Sequence, residues 1–211
     1  MGRQRTDAGY LKRAAAVAVM WVAATLAQGA GAVEVGGVTV AEKARLGQRG
    51  PELVLNGAGV RHRMVFMKIY VGALYLTAKA TDAEEIIKDP KPRRVVMHIL
   101  ADEVTASDFV ASLNNSLAAN HIPAELALIE SRIRDLNAMM NGVGSLKKGA
   151  VVLLDYLPGT GTRITVNGQE KIVIKGEDFF QALLRIWIGR KPVDGRLRDA
   201  MLGGTGAFSL F

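Results

Sequence analysis

The chain has 211 residues, with 27 Lys and Arg against 20 Asp and Glu, a formal net charge of +7, and no cysteine. The lack of cysteine excludes disulfides, thiol catalysis and cysteine-based metal sites. The length suits one domain with a full core, and no repeat or linker divides it.

The N-terminus has the order of a secretory signal peptide. Basic residues precede an unbroken run of small and apolar residues from Ala14 to Ala27, and Ala30-Gly31-Ala32 fits an A-x-A cleavage site. The run is shorter than the roughly 20 residues that a membrane-spanning helix needs. We therefore expect residues 1–32 to be a cleaved signal peptide, which makes the protein periplasmic or otherwise exported, with no membrane span after cleavage. An uncleaved N-terminal anchor is the alternative.

Removal of this segment lowers the net charge from +7 to +4, because it holds four basic residues and one acid. A charge of this size gives no reason to expect a nucleic-acid partner. The remaining chain predicts one domain over residues 33–202, followed by a glycine-rich, flexible C-terminal tail over residues 203–211.

The first half of this domain predicts mainly strands. Turn residues and β-formers alternate there, and one short helix interrupts them. In chain order we expect a hairpin over Val33–Val40 around Gly36-Gly37, strands in Glu52–Leu55 and Val60–Thr77 separated by Asn56-Gly57, a helix over Thr81–Lys88 capped by Thr81, and a strand over Arg94–Leu100. The last strand has apolar residues on both faces, which favours a central position in the sheet.

The second half predicts two helices, three strands and two more helices. Thr105 is a candidate cap for the first helix, Pro123 suits the first turn of the second, and Asn167-Gly168 is a strong hairpin signal. We expect strands over Val151–Leu157, Arg163–Val166 and Lys171–Lys175, and helices over Glu177–Ile188 and Asp194–Leu202. Because regular β-α-β alternation is absent, the order favours an α+β fold, an antiparallel sheet with helices on one face.

No familiar catalytic signature is present. His62, His98 and His121 are far apart in the sequence, so a three-histidine metal site is disfavoured and we predict no metal or cofactor. His98 lies mid-strand and is interpreted as a sheet residue. The small basic cluster at Arg93 and Arg94 is interpreted as solvated loop charge.

Two segments carry a family resemblance. The entry Gly57-x-Gly59-x-Arg61, followed by Lys68-Ile69-Tyr70, resembles the paired strands of the chalcone isomerase superfamily. Trp187-Ile188-Gly189, Lys191-Pro192-Val193 and the stretch Leu197–Leu202 resemble that superfamily's C-terminal helix, its glycine and its closing helix. The resemblance spans about residues 33–202. It implies an open-faced β-sandwich, a large antiparallel sheet carrying a layer of helices.

The resemblance also implies candidate site residues. The superfamily holds enzymes that close a chalcone into a flavanone, fatty-acid-binding proteins, and bacterial members without an assigned role. Its strand-entry arginine, which stabilises the anion in the enzymes and pairs with the carboxylate in the binders, falls on Arg61. The Lys-x-Tyr of the fatty-acid binders falls on Lys68 and Tyr70, where the enzymes have Thr. A guanidinium and a hydroxyl can both donate to a carboxylate.

Other enzyme positions depart from the pattern. The catalytic Tyr falls on Phe109, an Asn falls near Ser116, and a Thr falls on Ile186. Without those donors the phenolate and ketone of a chalcone would lose their partners. We therefore expect a non-catalytic protein that binds a fatty acid or similar amphipathic carboxylate through Arg61 and Tyr70. A chalcone isomerase-type intramolecular lyase with an altered active site, and a ligand-free structural or partner-binding protein whose Arg61 pairs with an internal acid, remain alternatives.

Whether Arg61 and Tyr70 can meet depends on the turn between them. Nine residues apart on one strand, they would point to opposite faces. A turn or bulge near Met64 would instead place them on neighbouring strands. The apolar stripes Leu113/Leu117 and Leu183/Trp187 could then form the walls of a cleft behind the charge.

Overall fold

The computed structural model describes residues 31–64 and 66–204. Within them lie the strands β1 (Ala32–Val35), β2 (Val38–Ala41), β3 (Lys43–Arg45), β4 (Glu52–Arg63), β5 (Met67–Leu76), β6 (Arg93–Ile99), β7 (Glu103–Thr105), β8 (Ser145–Lys147), β9 (Val151–Leu157), β10 (Gly161–Val166) and β11 (Gln169–Ile174). The helices are α1 (Ala83–Lys88), α2 (Ala106–Asn120), α3 (Pro123–Val143), α4 (Glu177–Ile188) and α5 (Gly195–Met201). The predicted signal peptide lies outside the described residues except for Gly31 and Ala32. The predicted tail does so except for Gly203 and Gly204.

Seven strands form one antiparallel sheet in the order β11-β10-β9-β6-β5-β4-β3. β6 lies in the middle, as its apolar residues on both faces predicted. Two small two-stranded antiparallel sheets, the β1–β2 hairpin and the β7–β8 pair, lie outside this sheet. The large antiparallel sheet with separate helices confirms the α+β prediction.

The helices cover one face of the sheet and enclose the larger core. Among the helices of the described residues, α4 contributes the most buried apolar side chains, because those from Phe179 to Ile188 are nearly all buried. α3 adds Ile129, Leu136 and Met140. Thr105 caps α2 by accepting a hydrogen bond from the backbone N–H of Asp108, as predicted. None of the helices within the described ranges has both the length and the apolar character needed to cross a membrane.

The other face of the sheet is covered at one end by the β1–β2 hairpin. Val35 and Val40 pack there on Leu53, Ala58 and Val71 in a second, smaller core. This hairpin turns at Gly36 and Gly37, both with positive φ, as the sequence predicted.

Three local predictions need correction. β4 runs unbroken through Asn56-Gly57, and only a bulge between Leu55 and Gly57 marks the expected interruption. α1 is capped by Asp82 rather than Thr81, because the Asp82 carboxylate accepts from the N–H of Glu85 at 2.8 Å. The basic cluster is buried: Arg93 is fully enclosed and Arg94 is 9% exposed.

Arg93 is buried because the end of α1 provides acceptors for it. Its Nη1 donates to the carbonyls of Ile86 and Ile87, the latter at 2.8 Å, at the negative end of the helix. Its guanidinium also lies over the rings of Tyr156 and Phe180, at 4.9 and 5.2 Å from their centres. These contacts depend on tertiary packing, which the local sequence does not reveal.

Candidate functional site

The glycines of β4 and β5 let a helix lie directly on the sheet. A Cβ on Gly59 would lie 2.7 Å from the Cβ of Ala200 in α5, and one on Gly57 would collide with the Ala200 carbonyl oxygen. Gly72, the register partner of Gly59, faces Leu197 of the same helix. The glycines therefore make room for α5.

Arg61 lies just beyond the start of α5. It follows Gly59 by two residues and so projects to the same face of β4. Asp194, which caps α5, also accepts a hydrogen bond from the backbone N–H of His62 at 2.9 Å. This contact fixes the strand beside Arg61 to the helix start.

The structure brings Arg61 and Tyr70 together. A turn between β4 and β5 makes them direct register partners in neighbouring strands, so their side chains project to the same face. The guanidinium carbon of Arg61 lies 5.4 Å from the centre of the Tyr70 ring. A bulge between Arg61 and His62 accompanies this pairing.

The Arg61 guanidinium retains unused donors. Its Nη2 donates to the hydroxyl of Ser112 in α2 at 3.0 Å. Its Nε is buried without a hydrogen-bond partner, and no acid within the described residues forms an ion pair with it. The ligand-free alternative expected an internal ion pair here, and that ion pair is absent from the described part of the chain.

The Tyr70 hydroxyl is positioned as a neutral donor. Its oxygen accepts a hydrogen bond from Nε1 of Trp187 at 2.9 Å, which leaves its own hydrogen free for another acceptor. Burial raises the pKa of Tyr70 above its usual range, although the charge of Arg61 opposes that shift. The group is therefore protonated at neutral pH.

Both residues line a cavity of about 670 Å³ between the sheet and the helices. Many of the other lining residues are apolar, and those from the sheet and α3 include Met97, Ile99, Leu136, Met140, Val152 and Leu154. The lining residues that are exposed include Arg63, Met67, Asp108 and Lys191. The cavity thus combines exposed charged residues with buried, mainly apolar ones.

The positions that the resemblance assigned to an isomerase site also line this cavity. Phe109, Ser116 and Ile186 all do so. Ser112 is the polar residue that sequence reasoning missed. It lies one turn from Ser116 on the stripe that carries Phe109 and Leu113, so a polar residue within an apolar stripe was the available signal.

Within the described residues, the three histidines are not grouped as the ligands of a metal ion would be. No group of three or more His, Asp or Glu side chains within residues 31–64 and 66–204 is arranged to hold a metal ion. His98 is half-buried on β6, and burial lowers its pKa.

Comparisons with known proteins agree with this architecture. A family model described as chalcone isomerase-like matches residues 32–203. No curated protein sequence matches the chain. Among solved structures, a fatty-acid-binding protein of Arabidopsis thaliana superposes with a TM-score of 0.54 at 14% sequence identity, covering 79% of this chain and 98% of that chain. At this identity the structural likeness establishes the shared fold, and the family model covers most of the sequence. The chain therefore belongs to the chalcone isomerase-like family.

Proposed function

We propose that the protein binds a fatty acid or similar amphipathic carboxylate without converting it. The observation that carries the proposal is the pairing of Arg61, which has a buried and unpartnered Nε, with the neutral hydroxyl of Tyr70 in the lining of a largely apolar cavity. A carboxylate is an anion that a guanidinium fork and a hydroxyl can hold together. The Arabidopsis protein of similar fold is named for fatty-acid binding, which supports the same class of ligand.

The dimensions of the cavity suit such a ligand. A volume of about 670 Å³ lies within the range of about 300–1,000 Å³ that small-molecule sites occupy. An acyl chain would extend from Arg61 along the walls formed by Met97, Leu154 and Met140, where it would replace no hydrogen bond. Burial of the chain would provide most of the affinity, and the polar pair would orient the ligand.

The cavity walls lack hydrogen-bond donors that an isomerisation would need. Phe109 and Ile186 lack a hydroxyl, so they cannot hold a developing phenolate or ketone anion. Cyclisation would then depend on Arg61, Tyr70 and the serines of α2. We accordingly place binding ahead of catalysis. A chalcone-cyclisation assay with turnover that depends on Arg61 would reverse that order.

The binding test compares ligands as well as variants. Titration calorimetry would measure palmitate and hexadecanol, which share an acyl chain but differ in charge, against the unaltered protein and Arg61→Met. We expect Arg61→Met to weaken palmitate binding about 10- to 100-fold, because hydrogen bonds to charged groups contribute about 1.5–3 kcal/mol each. Hexadecanol should bind both proteins equally.

The matched control is Arg134→Ala, which removes an exposed arginine that pairs with Glu130 on α3, away from the cavity. It should leave palmitate affinity unchanged. If palmitate bound neither the unaltered protein nor the control, or if Arg61→Met bound palmitate as tightly as the unaltered protein, this assignment of the site would be wrong.

We also propose that the protein acts after export. The basic, apolar and small-residue order of residues 1–32 supports this proposal. Expression of the full chain in a Gram-negative host should yield periplasmic protein whose N-terminus follows Ala32. Recovery of uncleaved chain in the cytoplasm would contradict it.

A further inference from the structure

The tip of the β4–β5 hairpin exposes large apolar side chains. Met64 is 84% exposed, Phe66 is 90% exposed and Met67 is 53% exposed. A single exposed apolar residue needs no explanation, but three at one tip form a surface suited to an apolar partner.

Basic residues flank this apolar tip. Arg63 precedes it with 62% of its side chain exposed, and Lys68 follows it, also exposed. The two acids that line the nearby opening are paired, Glu103 with Lys147 at 2.7 Å and Asp108 with Arg63 at 3.7 Å. The tip therefore combines apolar side chains with positive charge, as segments that bind at the surface of an anionic bilayer do.

A second hairpin of the sheet shows an ordinary tip. β10 and β11 turn at Asn167-Gly168, and Asn167, with φ of 50°, accepts a hydrogen bond from the backbone N–H of Val151 at 2.9 Å. Met64 occupies the same left-handed region, with φ of 56°, where Asn or Gly would be favoured. The β4–β5 turn thus keeps an exposed methionine at a position where local turn chemistry favours a polar residue or glycine.

The tip also lies at the opening of the cavity. Arg63 and Met67, on either side of the turn, are both among the lining residues. Insertion of the tip into a lipid surface would place the opening against the bilayer.

We propose that the β4–β5 tip docks on an anionic lipid bilayer, with Met64 and Phe66 entering the acyl boundary and Arg63 and Lys68 contacting headgroup phosphates. The docked state brings the cavity to the membrane, so that an acyl ligand passes between bilayer and protein without crossing water. The docking step depends only on the residues of the β4–β5 tip. The transfer step rests on the proposed function.

The docking test uses the full chain and vesicles of phosphatidylcholine with or without phosphatidylglycerol. The variant is Met64→Ser/Phe66→Ser, neither of which lines the cavity, and the matched control is Ile122→Ser/Leu128→Ser, which removes two exposed apolar side chains of the α3 region. All three proteins carry the same N-terminal segment, so differences between them report the substituted surface. We expect co-sedimentation with anionic vesicles to weaken at least about tenfold in the tip variant and to be unchanged in the control.

Charge provides an independent arm of the same test. Lys68→Gln, and added salt, should each weaken binding to anionic vesicles, while binding to phosphatidylcholine alone should be weak throughout. Equal vesicle binding by the unaltered protein and the tip variant, or none by either, would overturn the proposal. Concentration-dependent dimerisation that the tip variant abolishes would also overturn it, because the tip would then be an interface between copies of the chain.

Ligand transfer separates this inference from the proposed function. The rate at which a fluorescent fatty acid leaves the protein should rise with the concentration of anionic acceptor vesicles, and the tip variant should remove that dependence while keeping its affinity for palmitate. If the protein binds no fatty acid but sediments with anionic vesicles through the tip, the proposed function fails and the docking surface stands.

Discussion

Along the inner face of β4 and β5, glycines occupy one half, while Arg61 and Tyr70 occupy the other. The glycine half lies under α5, where a Cβ on Gly57 or Gly59 would collide with the helix, whereas the second half opens onto the cavity. The two halves share strands, register and face, so the difference comes from the side chains alone. The glycine half holds the sheet to a helix, and the other half presents unused donors. Substitutions in the two halves should therefore affect different properties.

The largest effect is expected in the glycine half. Gly57→Ala should destabilise the protein by about 3 kcal/mol, because the new methyl group meets the backbone carbonyl of Ala200, which cannot rotate away. Urea unfolding would measure the loss.

Gly142→Ala is the control for this experiment. Gly142 lies within α3 with open space around it, so alanine there should raise stability by about 0.5–1 kcal/mol through helix propensity. Similar losses in both variants would mean that close approach of α5 is not what requires Gly57.

In the half that holds Arg61 and Tyr70, substitution should weaken ligand binding and leave the stability of the ligand-free protein nearly unchanged. Arg61→Met should leave the ligand-free protein within about 0.5 kcal/mol of the original stability, because it removes a guanidinium with an unsatisfied buried donor. Palmitate at 100 times its dissociation constant should stabilise the unaltered protein by about 2.7 kcal/mol. In Arg61→Met, at the same palmitate concentration, a 10- to 100-fold weaker affinity should reduce this gain to about 0.4–1.4 kcal/mol.

Thermal unfolding with and without palmitate would give both quantities. A large loss of stability in ligand-free Arg61→Met would assign Arg61 a structural role and remove the contrast between the two halves.

Tyr70 contributes both to the stability of the ligand-free protein and to ligand binding. Tyr70→Phe should lower ligand-free stability by about 1 kcal/mol, because Nε1 of Trp187 loses its buried acceptor, and it should weaken palmitate binding about fivefold. Trp187 is the one tryptophan after residue 32, so its fluorescence in the cleaved protein reports this contact.

Tyr75→Phe is the matched control for this variant. Tyr75 lies on the same strand but faces the second core, and its hydroxyl donates to the carbonyl of Ala41. Its replacement should change neither ligand affinity nor Trp187 emission. A change in both would show that the two faces of β5 are coupled.

Local patterns predicted much of this arrangement. The turn at Met64, the cap at Thr105 and the Asn167-Gly168 hairpin depend on residues close in sequence, and the structure contains all three. The register that pairs Arg61 with Tyr70 follows from that turn. The partners of the pair do not, since Ser112 and Trp187 are 51 and 117 residues away from Arg61 and Tyr70, respectively. Their contacts arise only when α2 and α4 pack on the sheet.

The same limit explains the wrong interpretation of Arg93. A basic residue beside prolines resembles a solvated loop until α1 places its carbonyls above it. Asn56-Gly57 was likewise interpreted as a break between two strands, because nothing local indicates that α5, more than 100 residues later in the chain, packs on Gly57. A short stretch of sequence does not reveal that two elements distant along the chain pack closely together.

The smallest expected effect is that of pH on ligand affinity. Burial raises the pKa of Tyr70 above its usual value of about 10, so its hydroxyl keeps its proton from about pH 7 to about pH 9. A fatty carboxylate is ionised over this interval, and a guanidinium is charged throughout. Palmitate affinity should therefore vary by less than about twofold across it, as measured by calorimetry in buffers of equal ionic strength. Above about pH 10 the unfolded chain would lose the Tyr70 proton before the folded chain does. The free energy of unfolding should therefore fall as pH rises, and Tyr70→Phe should make that fall less steep. A tenfold loss of affinity between about pH 7 and about pH 9 would mean that the carboxylate is held by a group that titrates there, and not by the Arg61 and Tyr70 pair.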